Sequence, residues 1–346
     1  MFTIRCCASN LNPPETKKMP RWGARALETG LPSPWGRNAT LRQALRAVLS
    51  AMLAGWLSAS FAAGIPTASV RLLFEVTGQG AGGLSLPSDV ALGSDDRIYV
   101  VDGGNQRVVV FDRNGRYLLS FGRKGSAEGQ FKDPVGIGTD GRGRVYVADT
   151  GNHRIQVFSA EGHFQYAFPV IDKGVAVRPI DVAADASGAK IYVSANNKVM
   201  RFSGSGKMVR QWGGYGEGNG RFRYPATVAM ASNGTVYVVD VLNSRAQAFD
   251  EEGALLVQIG SWGVLPGELY RPKGVAVDEK NQVYISDSYM DVIQVFDADG
   301  KFLRVLGQDG APQRFVSVGG IAVGRDNRLY AAEMLRNKIS VYKLND

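Results

Sequence analysis

The stretch "VYVADTGNHRIQVFS" at residues 145–159 decides how this sequence is interpreted. Taken alone it looks catalytic, because an acid, an amide, an imidazole and a guanidinium (Asp149, Asn152, His153 and Arg154) lie within six residues. Related stretches occur five more times: "IYVVDGGNQRVVVFD" (98–112), "IYVSANNKVMRFS" (191–203), "VYVVDVLNSRAQAFD" (236–250), "VYISDSYMDVIQVFD" (283–297) and "LYAAEMLRNKISVYK" (329–343). A catalytic group need occur only once. Because the Asp, Asn and Arg recur, we interpret them as structural residues that hold a loop between two strands.

The tyrosines near the start of these stretches show that the repeat has a constant period. They are spaced 45 to 47 residues apart, at Tyr99, Tyr146, Tyr192, Tyr237, Tyr284 and Tyr330. A proline, replaced by Val318 in the last unit, lies twelve or thirteen residues before each of them. A constant period of this length indicates a repeat architecture.

Each unit contains four short runs rich in Val, Ile, Tyr and Phe, separated by Gly, Asn and Asp. This pattern predicts four strands per unit, here named a to d, and such units repeated around a ring form a β-propeller. The sixth unit has only three strands, while "SVRLLFEVTGQG" at residues 69–80 has the pattern of a fourth. The sequence therefore predicts an all-β, six-bladed β-propeller of four-stranded blades over residues 65–346, with the last blade closed by an N-terminal strand.

The linkers between the units carry a second motif. "FGRKGSAEGQFKDPVGI" (121–137) has regularly spaced glycines followed by a Phe and a Pro, and residues 212–228 and 259–275 are close variants. With the D-x-x-N-x-R-[IV]-x-V-F core, these linkers resemble the NHL-repeat family over roughly residues 69–346. The resemblance implies a six-bladed propeller. It does not imply one function, because family members include RNA- and protein-binding modules, sensor domains of bacterial kinases and an amidating lyase.

The two histidines argue against the last of these activities. The amidating lyase of the family depends on histidine metal ligands, whereas this chain has only His153 and His163. We expect them on opposite faces of the propeller, too far apart to share a metal, and a histidine-rich zinc site needs three or four ligands. We therefore interpret His153 as a solvated loop residue.

Residues 1–64 are predicted to be a leader with a secretory signal peptide. Arg42 and Arg46 precede an apolar core of seventeen uncharged residues (47–63), and small residues follow. This pattern predicts an exported protein, periplasmic or extracellular. The alternative is an uncleaved N-terminal helix that anchors the protein to the membrane, because seventeen residues is the lower limit for a span.

Charge and cysteine usage exclude two classes of function. Residues 1–64 hold eight Lys/Arg and two Asp/Glu and so carry +6 of the net charge of +8, which leaves +2 for the rest of the chain. A nearly neutral body argues against nucleic acid as a partner. Both cysteines, Cys6 and Cys7, lie in the leader, so the body has neither a disulfide framework nor a cysteine metal site.

Two acids are predicted at the mouth of the central channel, where strand a begins. Asp89 lies in the first unit and Asp181 in the third. They are weak candidates for metal ligands, because a calcium site needs six to eight oxygen ligands. The only cofactor that the sequence suggests is a divalent cation at this mouth, and the simpler interpretation is a pair of hydrated acids.

A basic and aromatic patch is predicted where two linkers meet strand a of the next unit. Its candidate binding residues are Arg223, Tyr224, Arg271 and Lys273. Trp212 and Trp262 lie near them in the sequence and belong either to the patch or to the packing between blades. Such composition is favoured at protein interfaces.

These observations predict a non-catalytic, monomeric scaffold that binds a protein or a cell-envelope component on its loop face. The membrane is a partner only if the signal is uncleaved. The alternative is a metal-dependent lyase or lactonase-like enzyme with its site at the channel mouth. No nucleophile and base lie close enough in sequence to favour the enzyme.

Overall fold

The structure, a computed structural model, describes residues 65–308 and 310–345, and within them the chain forms a six-bladed β-propeller. The predicted leader lies outside the described residues. Within the described ranges, no helix has the length and apolar character needed to cross a membrane.

In blades 1 to 5, strands a to d form an antiparallel sheet in chain order. Blade 1 contains Pro87–Leu92, Ile98–Asp102, Arg107–Phe111 and Tyr117–Phe121; blade 2 contains Pro134–Thr139, Val145–Asp149, Arg154–Phe158 and Phe164–Pro169; blade 3 contains Pro179–Ala184, Lys190–Ala195, Lys198–Ser203 and Met208–Gly213. Blade 4 contains Pro225–Met230, Val236–Asp240, Arg245–Phe249 and Leu255–Ile259; blade 5 contains Pro272–Val277, Val283–Asp287, Val292–Phe296 and Phe302–Gln308; blade 6 contains Val318–Val323, Arg328–Glu333 and Lys338–Leu344.

The outer strand of blade 6 comes from the other end of the described chain. Val70–Val76 pairs antiparallel with Lys338–Leu344. Just before it, Thr67–Ala68 pairs in parallel with the outer strand of blade 5. Strand a of each blade contacts strand a of the next, and strand a of blade 6 contacts that of blade 1, so the inner strands form a closed ring.

Short elements occupy the loops. Four 3₁₀ turns lie between strands b and c, at Gly103–Asn105, Thr150–Asn152, Val241–Asn243 and Met334–Arg336. Two further short strands, Ile171–Asp172 and Val175–Ala176, form a hairpin in the linker before blade 3, and Ala311–Pro312 pairs with the outer strand of blade 5.

The residues that define the repeat fill the space between blades. Tyr99 is buried in strand b of blade 1, and its hydroxyl donates a hydrogen bond of 3.1 Å to the Ala160 carbonyl of blade 2. Phe131 of the linker is fully buried against Phe158 at 5.6 Å between ring centroids. Burying one such side chain stabilises the fold by about 1.5–3 kcal/mol.

A glycine of the linker motif permits this packing. Gly122 has φ +88°, and a Cβ there would lie 2.2 Å from the ring of Phe131. Any larger residue would displace the aromatic side chain that joins blades 1 and 2. The spacing of glycine and phenylalanine in the linkers therefore follows from blade packing.

Candidate functional site

The propeller has two distinct faces. The first residue of each strand a pairs with the last residue of strand b, as Pro87 does with Asp102 and Pro134 with Asp149. The linkers and the b–c loops therefore emerge together on one face, which we call the linker face. The a–b and c–d turns form the opposite face.

The recurring Asp-Asn-Arg group joins each linker to its b–c loop. The buried Asp149 carboxylate accepts hydrogen bonds from the Lys132 amide at 2.7 Å, the Arg154 guanidinium at 2.8 Å and the Asn152 amide group at 2.9 Å. Equivalent bonds surround Asp102 and Asp240. The structural interpretation of this group is confirmed.

The histidines lie on opposite faces, as expected. His153 follows the 3₁₀ turn of blade 2 on the linker face, in a left-handed conformation with φ +58°. His163 lies in a c–d turn on the other face. Within the described residues, no group of three or more His, Cys, Asp or Glu side chains could hold a metal ion.

The two channel acids join neighbouring blades at the propeller axis. Asp89 accepts the amide of Val90 at 2.9 Å and the amide of Ile137 in blade 2 at 3.0 Å, one on each carboxylate oxygen. Asp181 connects blades 3 and 4 in the same way. They border a cavity of about 230 Å³ that strand a of every blade lines.

Burial perturbs both carboxyl groups. Desolvation raises the pKa of Asp89 to about 7, against the opposing effect of its two amide donors. Desolvation also raises the pKa of Asp181 well above its usual range, and the nearby charge of Asp89 adds to the rise. Because all four oxygens already accept an amide and the pair favours a proton, this geometry favours a structural role. The cation site stays a prediction.

The predicted binding residues lie at the ends of two linkers. Arg223 forms an ion pair of 2.9 Å with Glu217, and Tyr224 is 45% exposed. Arg271 is exposed, whereas Lys273 is half-buried, and burial together with the Arg271 charge lowers its pKa. The structure places all four on the linker face.

The two tryptophans differ. Trp212 packs between blades 3 and 4, with its ring centroid 6.1 Å from Tyr192 and 5.8 Å from Phe249. Trp262 is 72% exposed on the linker face. The packing alternative therefore holds for Trp212 and is wrong for Trp262.

Trp262 belongs to a row of three aromatic rings. Its centroid lies 6.1 Å from Tyr270, which stacks on Tyr289 at 4.1 Å with an angle of 25° between the rings. Tyr289, in the b–c loop of blade 5, is 61% exposed. We call these three residues the aromatic shelf. Sequence reasoning missed Tyr289, although an aromatic residue at a loop position where the other four-residue loops have Gly or Leu is a signal.

The fold defines the class of this protein: a six-bladed β-propeller, in which two blades match the model of a known repeat family. The family model for the NHL repeat matches residues 84–111 and 131–158, which correspond to blades 1 and 2. No curated protein sequence matches the chain.

Several solved structures are similar. A streptogramin B lyase has a TM-score of 0.56 at 14% identity, covering 75% of this chain and 94% of that one. A catalytically inactive histidine-to-alanine variant of virginiamycin B lyase from Staphylococcus aureus, with quinupristin, has a TM-score of 0.54 at 15% identity over 79% and 84% of the two chains. A protein of unknown function from Bacteroides thetaiotaomicron has a TM-score of 0.58 at 17% identity over 77% and 71%. At these identities the likeness shows the fold alone.

Proposed function

We propose that this protein is an exported binding propeller that engages a protein or another cell-envelope component on its linker face. The observation that carries this proposal is the aromatic shelf. Large aromatic side chains are enriched where proteins bind partners, because they bury much area at a low entropic cost. Trp262 and Tyr289 expose most of their surface, and the exposed Arg271 directly follows Tyr270 in the sequence.

The surroundings of the shelf extend its apolar surface. Val264 and Leu265 lie at the tip of the same linker and are 36% and 54% exposed. The Arg271 amide and the Tyr270 amide both bond to buried Asp287, so the backbone under the shelf is fixed before a partner binds. A fixed surface loses little conformational entropy on association.

The other polar groups support a non-catalytic role. The Asp149 cluster and its equivalents bind linker backbone, and the channel acids bind backbone amides of neighbouring blades. The proposal of export rests on the apolar core at residues 47–63 and its basic flank.

The test is recovery of the partner from the cell envelope with full-length tagged protein. We expect a Trp262→Ala/Tyr289→Ala double variant to recover at least about tenfold less of the co-purifying component than the wild type does, because central aromatic residues dominate interface energies. Tyr215→Ala is the matched control, because Tyr215 occupies the equivalent position in the preceding linker and is also 72% exposed, without ring contacts. Equal recovery of the partner by the double variant and the wild type would show that the aromatic shelf does not bind it.

The alternative function is a metal-dependent lyase or lactonase-like enzyme that uses Asp89 and Asp181. It requires a cation on this pair, so added calcium or zinc should raise the unfolding temperature of the wild type and not of an Asp89→Asn/Asp181→Asn variant. If the purified protein contains no metal and added calcium or zinc leaves its unfolding temperature unchanged, the metal-dependent enzyme is refuted as an alternative.

A further inference from the structure

Blade 3 departs from the repeat on the linker face. Its b–c loop contains only Asn196 and Asn197, both in left-handed conformations with φ +47° and +59°, whereas the other blades have four residues there. Two residues with positive φ form a tight hairpin turn. The linker before this blade also differs, because it folds into the Ile171–Asp172 and Val175–Ala176 hairpin.

These two departures leave a cavity between the loops of blades 2, 3 and 4. Its volume is about 350 Å³, and we call it the blade 3 pocket. Four apolar residues from the linkers and strand ends line part of it, and its polar lining consists of His153, Arg178, Asn196, Asn197 and Tyr224. No acidic side chain lines the pocket.

The polar lining has unused hydrogen-bonding capacity. Within the described residues, the His153 ring forms no hydrogen bond, and its Nδ1 is buried. The side chain of Asn197 and the hydroxyl of Tyr224 also have no partner among them. Leaving a buried group such as His153 Nδ1 unpaired costs about 1–3 kcal/mol, so a ligand that satisfies it is favoured.

The one charged residue in the pocket lining is Arg178. Arg178 has one ion pair, to Asp133 at 3.6 Å, and both side chains are more than half exposed. An exposed pair at this distance contributes little and leaves the guanidinium available. The planar guanidinium matches a carboxylate with two parallel hydrogen bonds.

We propose that the blade 3 pocket binds a small organic carboxylate. Arg178 takes the carboxylate, with His153 and Asn197 as further donors, and Tyr224 and the apolar lining contact a short apolar body. A cavity of this size holds about a dozen non-hydrogen atoms, by comparison with the volume of water, and suits a small amphiphilic ligand better than a bare inorganic anion. The pocket uses none of the residues of the aromatic shelf, so either proposal can fail alone.

Benzoate is the probe, with benzamide as its neutral isostere and benzylamine as its cationic counterpart. Binding is followed on the full-length protein by isothermal titration calorimetry and by ligand-observed NMR. We expect saturable benzoate binding with a dissociation constant on the order of 1 mM. Benzamide should bind at least about tenfold more weakly than benzoate, and benzylamine should show no saturable binding.

Variants locate the binding. Arg178→Gln should weaken benzoate at least about tenfold and His153→Gln about threefold or more. Glutamine is compatible with the fold at residue 153, because Gln106 occupies the equivalent left-handed position in blade 1. Arg123→Gln removes an exposed charge from another linker and should bind as the wild type does.

Three results would overturn the proposal. They are the lack of saturable benzoate binding up to about 20 mM, equal affinity for benzamide and benzoate, and wild-type affinity in Arg178→Gln. A circular dichroism melt of each variant shows whether it is folded, so loss of binding through unfolding is recognised.

Discussion

Removing the Asp149 carboxylate tests whether the recurring acids hold the blades together. Asp149 is fully buried and accepts bonds from Lys132, Asn152, Arg154 and Gln156. In Asp149→Ala, three of these four donors keep another acceptor: Gly125 for Asn152, Ala127 and Gln130 for Arg154, and Gln130 for Gln156. Only the Lys132 amide loses its single acceptor.

The expected loss of unfolding free energy follows from which donors keep an acceptor. Breaking a buried ion pair costs about 3–5 kcal/mol, and one orphaned amide costs about 1–3 kcal/mol. Because most donors keep a partner and Arg154 is partly exposed, we expect the lower end, about 3–4 kcal/mol of unfolding free energy. Asp149→Asn keeps one side-chain oxygen that can accept the Lys132 amide, so its unfolding free energy should fall by about 2 kcal/mol.

The assay is urea unfolding of the purified protein at pH 7, followed by circular dichroism. We expect the midpoint to fall while the slope stays unchanged, since the same surface is exposed on unfolding. Arg123→Gln, which changes an exposed linker residue, is the control and should lie within about 0.5 kcal/mol of the wild type. A loss below about 1 kcal/mol in Asp149→Ala would refute the structural role.

Three further predictions concern the channel and the closure of the ring. Because burial raises the folded pKa of Asp89 to about 7 and also raises the pKa of Asp181 well above its usual range, the folded state binds more protons than the unfolded state. Stability should therefore fall as pH rises from 5 to 8, by on the order of 2 kcal/mol, and a flat urea-midpoint profile would contradict this. Gly320→Ala places a Cβ 1.7 Å from the Asp89 carboxylate and should cost about 1–3 kcal/mol in thermal unfolding, whereas Gly218→Ala, with open space around its Cβ, should cost less than about 1 kcal/mol. Val76→Asp buries a charge in the outer strand of blade 6 and should lower the unfolding free energy by more than about 3 kcal/mol, and a wild-type urea midpoint would mean that this strand does not close the ring.

The fold was predictable from the sequence because its signals repeat. Each unit carries a tyrosine at a spacing of 45 to 47 residues, with a proline (Val318 in the last unit) before it. Because these signals recur, neighbouring blades pack against one another in the same way around the ring. Repetition also identified Asp149 and its equivalents as structural, since the same donors recur at the same spacing.

The candidate sites were less predictable, because they arise where the repeat is broken. The shelf needs Tyr289 from one loop beside Tyr270 from a linker, and periodicity does not bring two irregular residues together. The blade 3 pocket was missed for the same reason. Asp89 and Asp181 were placed at the channel, but their burial and their bonds to neighbouring blades depend on the ring geometry.

The last blade has a consequence for how the protein is made. Its outer strand is among the first described residues to be synthesised and its neighbour among the last, with Glu75 and Lys338 separated by 263 positions in an ion pair between them. At ordinary rates of translation the early strand waits roughly 10–50 seconds for its partner. During that time its unpaired edge is open to aggregation or chaperone binding. Ring closure is therefore a late and slow step, and a chain cut short before residue 338 would keep both edges exposed.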